Sequence, residues 1–369
     1  MNTDERTQLQ KVGQNFQIDG EFKEAHRIKI GHINETFAVT YIVDAKEVRY
    51  IHQTLNTSVF KEPIPLMGNV LQVTEHLRSR LSQEGATDLD RRALRVIRAR
   101  DGHPFYIDSD DRFWRTFLFV ERVKTFEAAE TPAQAYQAGL AFGHFQSLLS
   151  DLPAQDLAVT IPDFHNTRKR FERLKAAIER DEVQRCKIAT REVRFALDQE
   201  PMVDVLLTAH ARGEIPERVT HNDTKFNNVM LDYETGEAMC VVDLDTVMPG
   251  LVLYDFGDMV RTTTSRTAED ETYLDRVELE MPLFQELARG YVESTRAFLT
   301  PKEKSYLVIA GALITYTIGI RFLTDYLEGD HYFRVHRQDH NLDRCRKQFK
   351  MVQSILEKRD TMQRFVDTL

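Results

Sequence analysis

Apolar and polar positions alternate in the first third of the chain. Between residues 24 and 55 apolar side chains recur at every second position, most regularly over 37–43, which is the period of a β-strand with one buried face. Turn-forming residues at 31–34 and 44–47 interrupt this pattern and predict three antiparallel strands joined by tight loops. The pattern further predicts a helix over 63–81 and strands over 93–100 and 113–120.

From residue 131 onward apolar positions recur at helical spacing. Thr131 and Gln134 have the spacing of a capping box, which predicts the start of a helix. Two short β-branched runs around a turn in 219–244 predict a hairpin inside this helical part. Further helices are predicted over 168–180, 202–212, 281–298, 304–327 and 342–362. We therefore predict an α+β fold of two lobes, a small antiparallel β-sheet lobe over 1–122 and a larger, mainly helical lobe over 123–369.

The composition is that of a folded protein without an electrostatic match to nucleic acid. The 49 basic and 58 acidic side chains give a net charge of -9, so nucleic acid is not an expected partner. Cys186, Cys240 and Cys345 have no paired spacing, which argues against a disulfide framework or a zinc site. The chain begins without a signal pattern, and its most apolar stretch, 307–320, has about 14 residues, fewer than the roughly 20 of a membrane span. We expect a cytoplasmic monomer in which this stretch is a buried helix.

The strongest chemical signal lies in the predicted hairpin. Residues 219–231 include His221, Asp223 and Asn228 in the spacing H-x-D-x-x-x-x-N, and Asp243 ends the next predicted strand. Phosphoryl transfer needs a carboxylate that orients the acceptor hydroxyl, and oxygen ligands for the metal that bridges the phosphates. Asp223 is placed for the first role, and Asn228 and Asp243 are placed to bind Mg²⁺, which prefers hard oxygen donors. The segment therefore predicts a magnesium-dependent phosphotransferase.

Other residues near this motif allow two interpretations. Asn and Asp are also common in ordinary turns, but their joint order here favours the catalytic interpretation. Asp245 lies two positions after Asp243, so on a strand both would face one side, with Asp245 either a metal or substrate ligand or a polar strand end. The segment 254–258, Y-D-F-G-D, is tempting to compare with the D-F-G metal motif, but it lies after Asp243. We expect Asp255 or Asp258 to bond the catalytic loop or to cap the next helix.

Several motifs carry a resemblance to a known family. T-H-N-D-T-K-F-N-N-V at 220–229 is similar to the catalytic loop of the aminoglycoside phosphotransferase and choline kinase group, which is related in fold to protein kinases. V-V-D-L-D-T-V-M-P-G at 241–250, L-Y-D-F-G-D at 253–258 and R-F-L-T-D-Y-L-E-G-D at 321–330 narrow the resemblance to the N-acetylhexosamine 1-kinases. It extends from G-H-I-N-E-T-F near the amino end to H-N-L-D-R near the carboxyl end, essentially the whole chain.

This resemblance implies an ATP- and magnesium-dependent kinase that phosphorylates the anomeric hydroxyl of N-acetylglucosamine or N-acetylgalactosamine. By similarity, Asp223 is the catalytic carboxylate and Lys225 is a cation near the reacting phosphoryl group or the acceptor. Asn228 and Asp243 correspond to the magnesium ligands. The residues implied to face the sugar are His32, Arg321 and Tyr332, with Asp245 as a further substrate-binding candidate.

Three of these residues have simpler interpretations when they are taken alone. Arg321 and Asp325 are four positions apart on a predicted helix and match a surface ion pair. Tyr332 follows a glycine in a turn, where an aromatic side chain is usually a packing anchor, and a turn histidine such as His32 is more often solvated than bound. Their assignment to the sugar therefore rests on the resemblance.

The nucleotide-binding side departs from the usual kinase pattern. No G-x-G-x-x-G occurs, so Gly31 alone serves the tip of the hairpin that is expected to cover the phosphates. The third predicted strand has no inward-facing lysine of the protein kinase type, and Gln53 or its neighbour His52 takes that position. We expect the hinge that binds the base of ATP to lie over 119–124, with Phe119 and Arg122 as its candidate residues.

Two other functions compete with a sugar kinase. A kinase of the same fold for an aminoglycoside, choline or homoserine would share the catalytic motif, but a cationic acceptor favours acidic residues around the cleft, whereas Lys225 and Arg321 are basic. An inactive, pseudokinase-like binding module would keep the two lobes. The intact Asp223, Asn228 and Asp243 argue against such a module, and the missing strand lysine argues for it.

Overall fold

An antiparallel sheet forms the amino-terminal lobe in the computed structural model, which describes residues 3–28 and 34–369. Its strands are β1 (Glu21–Ile28), β2 (Glu35–Val43), β3 (Lys46–Leu55), β4 (Val96–Ile97), β5 (Tyr106–Ile107) and β6 (Phe113–Leu118). Their order is β1-β2-β3-β6-β4, and β5 also pairs with β6. The strands predicted before residue 55 and over 113–120 are confirmed. The strand predicted over 93–100 is reduced to the two residues of β4.

The core of the small lobe lies on one face of this sheet. Val39 and Tyr41 of β2, which the alternating pattern placed on one face, are buried there together with Trp114 of β6. A helix that the sequence pattern did not predict, α1 (Thr3–Gln14), packs Leu9 and Val12 into the same core. Its sequence is polar at most other positions, so its apolar face is too narrow to produce a strong helical period.

Helices make up most of the carboxyl-terminal lobe. After α1 the described helices are α2 (Pro63–Gln83), α3 (Leu89–Arg92), α4 (Pro132–Leu148), α5 (Thr167–Arg180), α6 (Thr190–Asp198), α7 (Val205–Ala211), α8 (Val252–Thr263), α9 (Met281–Thr295), α10 (Pro301–Ser305), α11 (Leu307–Glu328) and α12 (His340–Thr368). Helix α4 begins with the predicted capping box, in which the Thr131 side chain accepts a hydrogen bond from the Gln134 N–H. A sheet lobe followed by a helical lobe is the predicted α+β fold.

Short strands inside the helical lobe carry the segments of chemical interest. They are β7 (Val123–Lys124), β8 (Arg218–Thr220), β9 (Val229–Asp232), β10 (Ala238–Val241) and β11 (Met248–Gly250). Strands β10, β9 and β7 form one small sheet, and β11 pairs with β8 in another. The antiparallel pair β9 and β10 is the hairpin that the sequence predicted within 219–244.

Helix α11 is the central helix of this lobe. It has 22 residues and is apolar enough to cross a membrane by length and composition, but 89% of its most apolar 18-residue window is buried inside the protein. The helix is longer than the predicted stretch 307–320, and its burial is as predicted. Helix α8 approaches it so closely that a Cβ at Gly257 would lie 2.4 Å from the Ala310 carbonyl oxygen. Glycine is therefore needed at this contact.

The sequence analysis did not delimit helix α8. Its sequence includes Asp255, Gly257 and Asp258, which are residue types of low helix propensity. Almost every residue of the helix is buried, so packing against α4, α9 and α11 stabilises it. This packing places the two aspartates underneath the predicted catalytic loop.

Candidate active site

A loop between β8 and β9 carries the predicted catalytic residues. Asn222 in this loop has a left-handed backbone with φ of 66°, a conformation that asparagine tolerates better than most residues. Its side chain donates a hydrogen bond to the carbonyl oxygen of Thr246 at 3.0 Å. The next residue is Asp223, whose side chain is 26% exposed. The loop thus presents one accessible carboxylate from an otherwise buried turn.

One buried carboxylate holds this loop in place. Asp255 on α8 accepts hydrogen bonds from the backbone N–H of His221 at 2.9 Å and of Asn222 at 2.7 Å. Gln146 on α4 donates a further bond to it at 2.7 Å. Burial raises the pKa of Asp255 in spite of these donors. The prediction that an aspartate of the 254–258 segment bonds the catalytic loop is confirmed.

Asp223, Lys225 and Asn228 come together in the loop. Nζ of Lys225 lies 3.1 Å from Oδ2 of Asp223, and Nδ2 of Asn228 donates to the same oxygen at 3.2 Å. Burial alone would raise the pKa of Asp223, but the charge and hydrogen bond of Lys225 and further neighbouring groups together outweigh burial, and the pKa lies below its ordinary value. The pKa of Lys225 is raised, mainly by Asp223. Asp223 is therefore an anion and Lys225 a cation at neutral pH.

Asp243 follows β10 and lies close to the same group. Strand β10 ends at Val241, and Asp243 has a left-handed backbone with φ of 63° before the 3₁₀ turn Leu244–Thr246. The expectation that Asp243 ends a strand is therefore wrong. Loss of hydration and the carboxylates of Asp245 and Asp223 raise the pKa of Asp243 to about 6. Asp243 is exposed by surface area, but its carboxyl group is surrounded by enough protein to lose part of its hydration. Together with Asp223 and Asp245 it gives an excess of negative charge at this point.

The oxygens beside this excess charge are of the chemical type that binds a magnesium ion. The amide nitrogen of Asn228 is used by Asp223, which leaves its Oδ1 as the oxygen available to a cation. Mg²⁺ usually takes few protein oxygens and completes its shell with water and phosphate. Among residues 3–28 and 34–369 no group of three or more His, Cys, Asp or Glu side chains is arranged to hold a metal. Asn228 and Asp243 stay the predicted magnesium ligands.

Asp245 is held by the small lobe. It is 2% exposed, forms a buried ion pair with Arg115 of β6, and accepts a hydrogen bond from Asn34 at 2.8 Å. Because Asp245 lies in a 3₁₀ turn, the expectation that it shares a strand face with Asp243 is wrong. Its contacts tie the small lobe to the turn that carries Asp243. A contact of Asp245 with substrate stays a prediction.

Only one of the two β3 candidates points toward Arg115. Gln53 lies opposite Arg115 in the sheet, and its Oε1 accepts bonds from that guanidinium at 2.7 and 2.9 Å. His52 is fully buried in the small lobe, where its ring nitrogens bond the Tyr41 hydroxyl at 3.0 Å and the Thr116 hydroxyl at 2.7 Å. Gln53 is therefore the remaining candidate for the position of the kinase lysine, and Arg115 is the cation that sequence reasoning missed.

The predicted hinge connects β6 to β7. Phe119 is half-buried, and the guanidinium of Arg49 lies 3.9 Å above its ring. Arg122 is exposed, has a left-handed backbone with φ of 59°, and pairs with Glu234 of the hairpin turn at 2.7 Å. The Arg122 side chain is therefore already engaged at the surface.

Two further predicted residues lie outside the described part of the chain, namely Gly31 and His32.

Arg321 and Tyr332 come together beside a surface cavity. Nη2 of Arg321 lies 3.4 Å from the Tyr332 hydroxyl, and Tyr332 is 57% exposed, so this tyrosine is not a packing anchor. Asp325 is buried and accepts hydrogen bonds from the backbone N–H groups of 331–333 at 2.7 to 3.0 Å. The interpretation of Arg321 and Asp325 as a surface ion pair is therefore wrong. Asp325 instead shapes the loop that presents Tyr332.

A second guanidinium, which sequence reasoning missed, lines the same cavity. Arg170 on α5 donates to the Phe164 carbonyl oxygen at 3.3 Å and has no carboxylate partner among the described residues. Burial and the neighbouring charge of Arg321 lower the pKa of Arg170 to about 10. No motif marks Arg170, because its place is set by the packing of α5 against α11. The cavity thus has two arginines without an acidic partner.

Comparison with known proteins agrees with this geometry. The model of the phosphotransferase enzyme family matches residues 27–289, more than half of the chain. An aminoglycoside phosphotransferase from Alicyclobacillus acidocaldarius superimposes with a TM-score of 0.62 at 12% identity, covering 98% of this chain and 96% of that one. Spectinomycin phosphotransferase, solved with ADP and spectinomycin, gives a TM-score of 0.55 at 12% identity, with 96% and 98% covered.

A further solved structure of similar fold is a choline kinase from Cryptosporidium parvum, with a TM-score of 0.53 at 14% identity and coverage of 92% and 90%. These structures share the fold, and the family model covers strands β2 to β6 of the amino-terminal sheet and the catalytic loop. The chain therefore belongs to the phosphotransferase enzyme family, and it shares its fold with solved structures of aminoglycoside phosphotransferases and a choline kinase.

Proposed function

We propose that this protein uses ATP and Mg²⁺ to phosphorylate the anomeric hydroxyl of N-acetylhexosamines, giving the sugar 1-phosphate and ADP. The observation that carries the proposal is that Lys225 and Asn228 converge on Oδ2 of Asp223, at 3.1 and 3.2 Å, in the catalytic loop. The motifs around this loop resemble those of N-acetylhexosamine 1-kinases. In this proposal residues 1–122 bind the nucleotide, and residues 123–369 provide the catalytic loop and the sugar site.

Asp223 has the central chemical role. Its carboxylate orients the anomeric hydroxyl and accepts its proton while the oxygen forms a bond to the γ-phosphorus of ATP. The bond between that phosphorus and the bridging oxygen breaks, and ADP leaves with the electron pair. Lys225 lies next to Asp223 and stabilises negative charge on the transferred group.

Asn228 and Asp243 are proposed to hold the magnesium ion. Mg²⁺ bound there would neutralise charge on the β- and γ-phosphates of the nucleotide. After loss of hydration, the carboxylates of Asp245 and Asp223 raise the pKa of Asp243, and this excess of negative charge supports the assignment because a cation would neutralise it. The small lobe would contribute Gly31, Gln53 and the hinge around Phe119 to ATP, whereas the engaged side chain of Arg122 leaves only its backbone for that role.

The acceptor side supports a neutral, polyhydroxy acceptor. Arg321 has several fixed N–H donors for hydroxyl or acetamido oxygens, and the exposed ring of Tyr332 has the shape to stack on a pyranose face. The two unpaired guanidiniums of Arg170 and Arg321 repel a cationic acceptor. This charge argues against an aminoglycoside or choline as the substrate, although structures of similar fold carry those names.

The proposal is tested by a panel of acceptors with ATP and Mg²⁺. We expect N-acetylglucosamine and N-acetylgalactosamine to be phosphorylated, with ³¹P and ¹³C NMR locating the phosphate on carbon 1. Choline, homoserine and an aminoglycoside serve as matched acceptors and should give much lower kcat/KM. Preference for one of these three, or phosphate on another carbon, would overturn the proposed substrate. Nucleotide binding without transfer to any acceptor would favour an inactive binding module.

A further inference from the structure

The loop 329–339, which joins α11 to α12, forms one wall of the surface cavity beside Arg321. Tyr332 and Phe333 of this loop line the cavity. The guanidinium of Arg321 lies 5.7 Å from the ring centre of Tyr332 and 5.5 Å from that of Phe333, within the range of cation–π attraction. The direction in which Arg321 faces the cavity therefore depends on where the loop holds these two rings.

Two carboxylates hold the loop in place. Asp325, near the end of α11, accepts hydrogen bonds from the backbone N–H groups of 331–333. Asp330 lies at the start of the loop, has a left-handed backbone with φ of 63° and pairs with Arg185. Oδ2 of Asp325 and Oδ1 of Asp330 lie 2.9 and 2.8 Å from the same atom, Nδ2 of Asn341. Two carboxylates that are this close repel each other unless donors lie between them.

Asn341 supplies those donors from the first turn of α12. It is fully buried, and its amide has two N–H groups, one for each carboxylate. Its Oδ1 accepts a hydrogen bond from Nη1 of Arg344 at 3.3 Å, and the same nitrogen donates to the carbonyl oxygen of Arg334 at 3.1 Å. This contact fixes the orientation of the amide, with its nitrogen toward the carboxylates. One side chain in the segment H-N-L-D-R at 340–344 therefore links α11, α12 and the loop.

We infer that Asn341 is a positioning residue for acceptor binding. It is not among the described residues that line the cavity, so it acts through other groups. Its two N–H groups keep Asp325 and Asp330 together, and these carboxylates fix the loop. The loop in turn holds Tyr332 and Arg321 toward the cavity. A site whose groups are fixed in advance loses less conformational entropy when its ligand binds.

The inference rests on the proposal that Arg321 and Tyr332 bind the acceptor, and it extends that proposal to a residue outside the cavity. Asn341→Leu tests it, because leucine is similar in size and has no donor for the two carboxylates. We expect KM for the acceptor to rise roughly tenfold, with kcat and KM for ATP changed less than about threefold. Asn341→Ser keeps one hydroxyl donor, so its KM for the acceptor should rise less, by about threefold.

The decisive measurement is a coupling between Asn341 and the groups that it positions. In a protein that carries both Arg321→Ala and Tyr332→Ala, adding Asn341→Leu should change kcat/KM for the acceptor by less than about twofold. A purely structural role would lower kcat/KM equally in both backgrounds. That result, or an unchanged KM in Asn341→Leu alone, would overturn the inference. If Asn341→Leu does not fold, the same cycle with Asn341→Ser decides the question.

A matched control is Gln348→Leu, which removes another buried amide from the same helix. Gln348 is fully buried near Gly319 of α11, and its amide has no hydrogen-bond partner among the described residues. We expect its KM for the acceptor to stay within about twofold of the wild type. A rise as large as in Asn341→Leu would count against the inference.

The acceptor in these measurements is N-acetylglucosamine or N-acetylgalactosamine, whichever the wild type phosphorylates. If the wild type phosphorylates neither sugar, the proposed function fails. If it phosphorylates one of them and Asn341→Leu keeps the wild-type KM, only the role of Asn341 is wrong.

Discussion

The catalytic loop and the surface cavity lined by Arg170, Arg321 and Tyr332, which we propose to bind the acceptor, differ in how their polar groups are paired. In the loop, backbone N–H groups are fixed by the buried carboxylate of Asp255, and the accessible Asp223 has a cation beside it. In the cavity, Arg170 and Arg321 have no carboxylate partner within the described residues, and Tyr332 is more exposed than buried. Chemistry depends on groups that are already in position, whereas binding depends on groups whose hydrogen bonds are completed by the ligand.

This difference predicts that substitutions in the two regions separate in their kinetics. A change in the loop should lower kcat, because it removes an interaction of the transition state. A change in the cavity should raise KM, because it removes an interaction made with bound acceptor as well.

Asp223→Asn should have the largest effect. It removes the carboxylate that accepts the hydroxyl proton and leaves Asn228 and Asp243 in place, so kcat should fall by roughly a thousandfold or more. Nucleotide affinity, measured by calorimetry, should change little. Asp151→Asn, which alters an exposed carboxylate paired with His76, is the control and should keep wild-type turnover. Unchanged turnover in Asp223→Asn would refute the assignment.

Asp255→Asn should come next, because Asp255 positions the loop without touching substrate. An amide in its place accepts only on one side, so one of the N–H groups of His221 and Asn222 loses its partner. We expect the free energy of unfolding to fall by about 2 to 3 kcal/mol and kcat to fall roughly a hundredfold. Urea unfolding and steady-state kinetics check the two effects. A loss of stability at unchanged kcat would show that the loop keeps its geometry without this carboxylate.

The catalytic loop was predictable because its parts are neighbours in sequence. Asp223, Lys225 and Asn228 lie within six residues, and the turn that carries them fixes their separation. The backbone near this loop was still predicted wrongly in one place, because Asp243 has a left-handed backbone conformation and does not continue its strand. Strand periodicity cannot detect a single residue of positive φ. The two-lobed fold was equally accessible, since its periods of two and 3.6 are read directly from the chain.

The rest of the site could not be derived from local pattern. Arg115 on β6, His165 in the turn before α5 and Arg170 on α5 carry no motif, so only tertiary packing determines their places. Helix α8 was missed for the related reason that packing overrides its low propensity. Arg321 and Tyr332 were singled out through the family resemblance alone.

Arg321→Ala tests the cavity side of the comparison. It should raise KM for the acceptor by roughly tenfold, the cost of a lost charged hydrogen bond, with much less effect on kcat and on KM for ATP. Arg173→Ala is a matched control, because Arg173 lines the same cavity but already pairs with Glu328 at 2.6 Å. If both variants raise KM equally, the effect is one of general charge and the assigned contact of Arg321 is wrong.

The smallest expected effect is a pH dependence of the free energy of unfolding. It should arise from His165, which bonds the catalytic loop, and not from the arginines of the cavity. Burial lowers the pKa of His165 to about 4, below the ordinary value of 6.5. The unfolded chain therefore takes up a proton first as pH falls through 6.5, and stability decreases toward lower pH. Arginines of the cavity stay charged throughout this range. Between pH 7 and 5.5 His165 should lower the free energy of unfolding by about 1 kcal/mol. Urea unfolding should show that this part of the dependence of stability on pH is lost in His165→Gln and retained in Arg321→Ala. Equal slopes in the wild type and both variants would mean that His165 does not titrate as its burial against the loop requires.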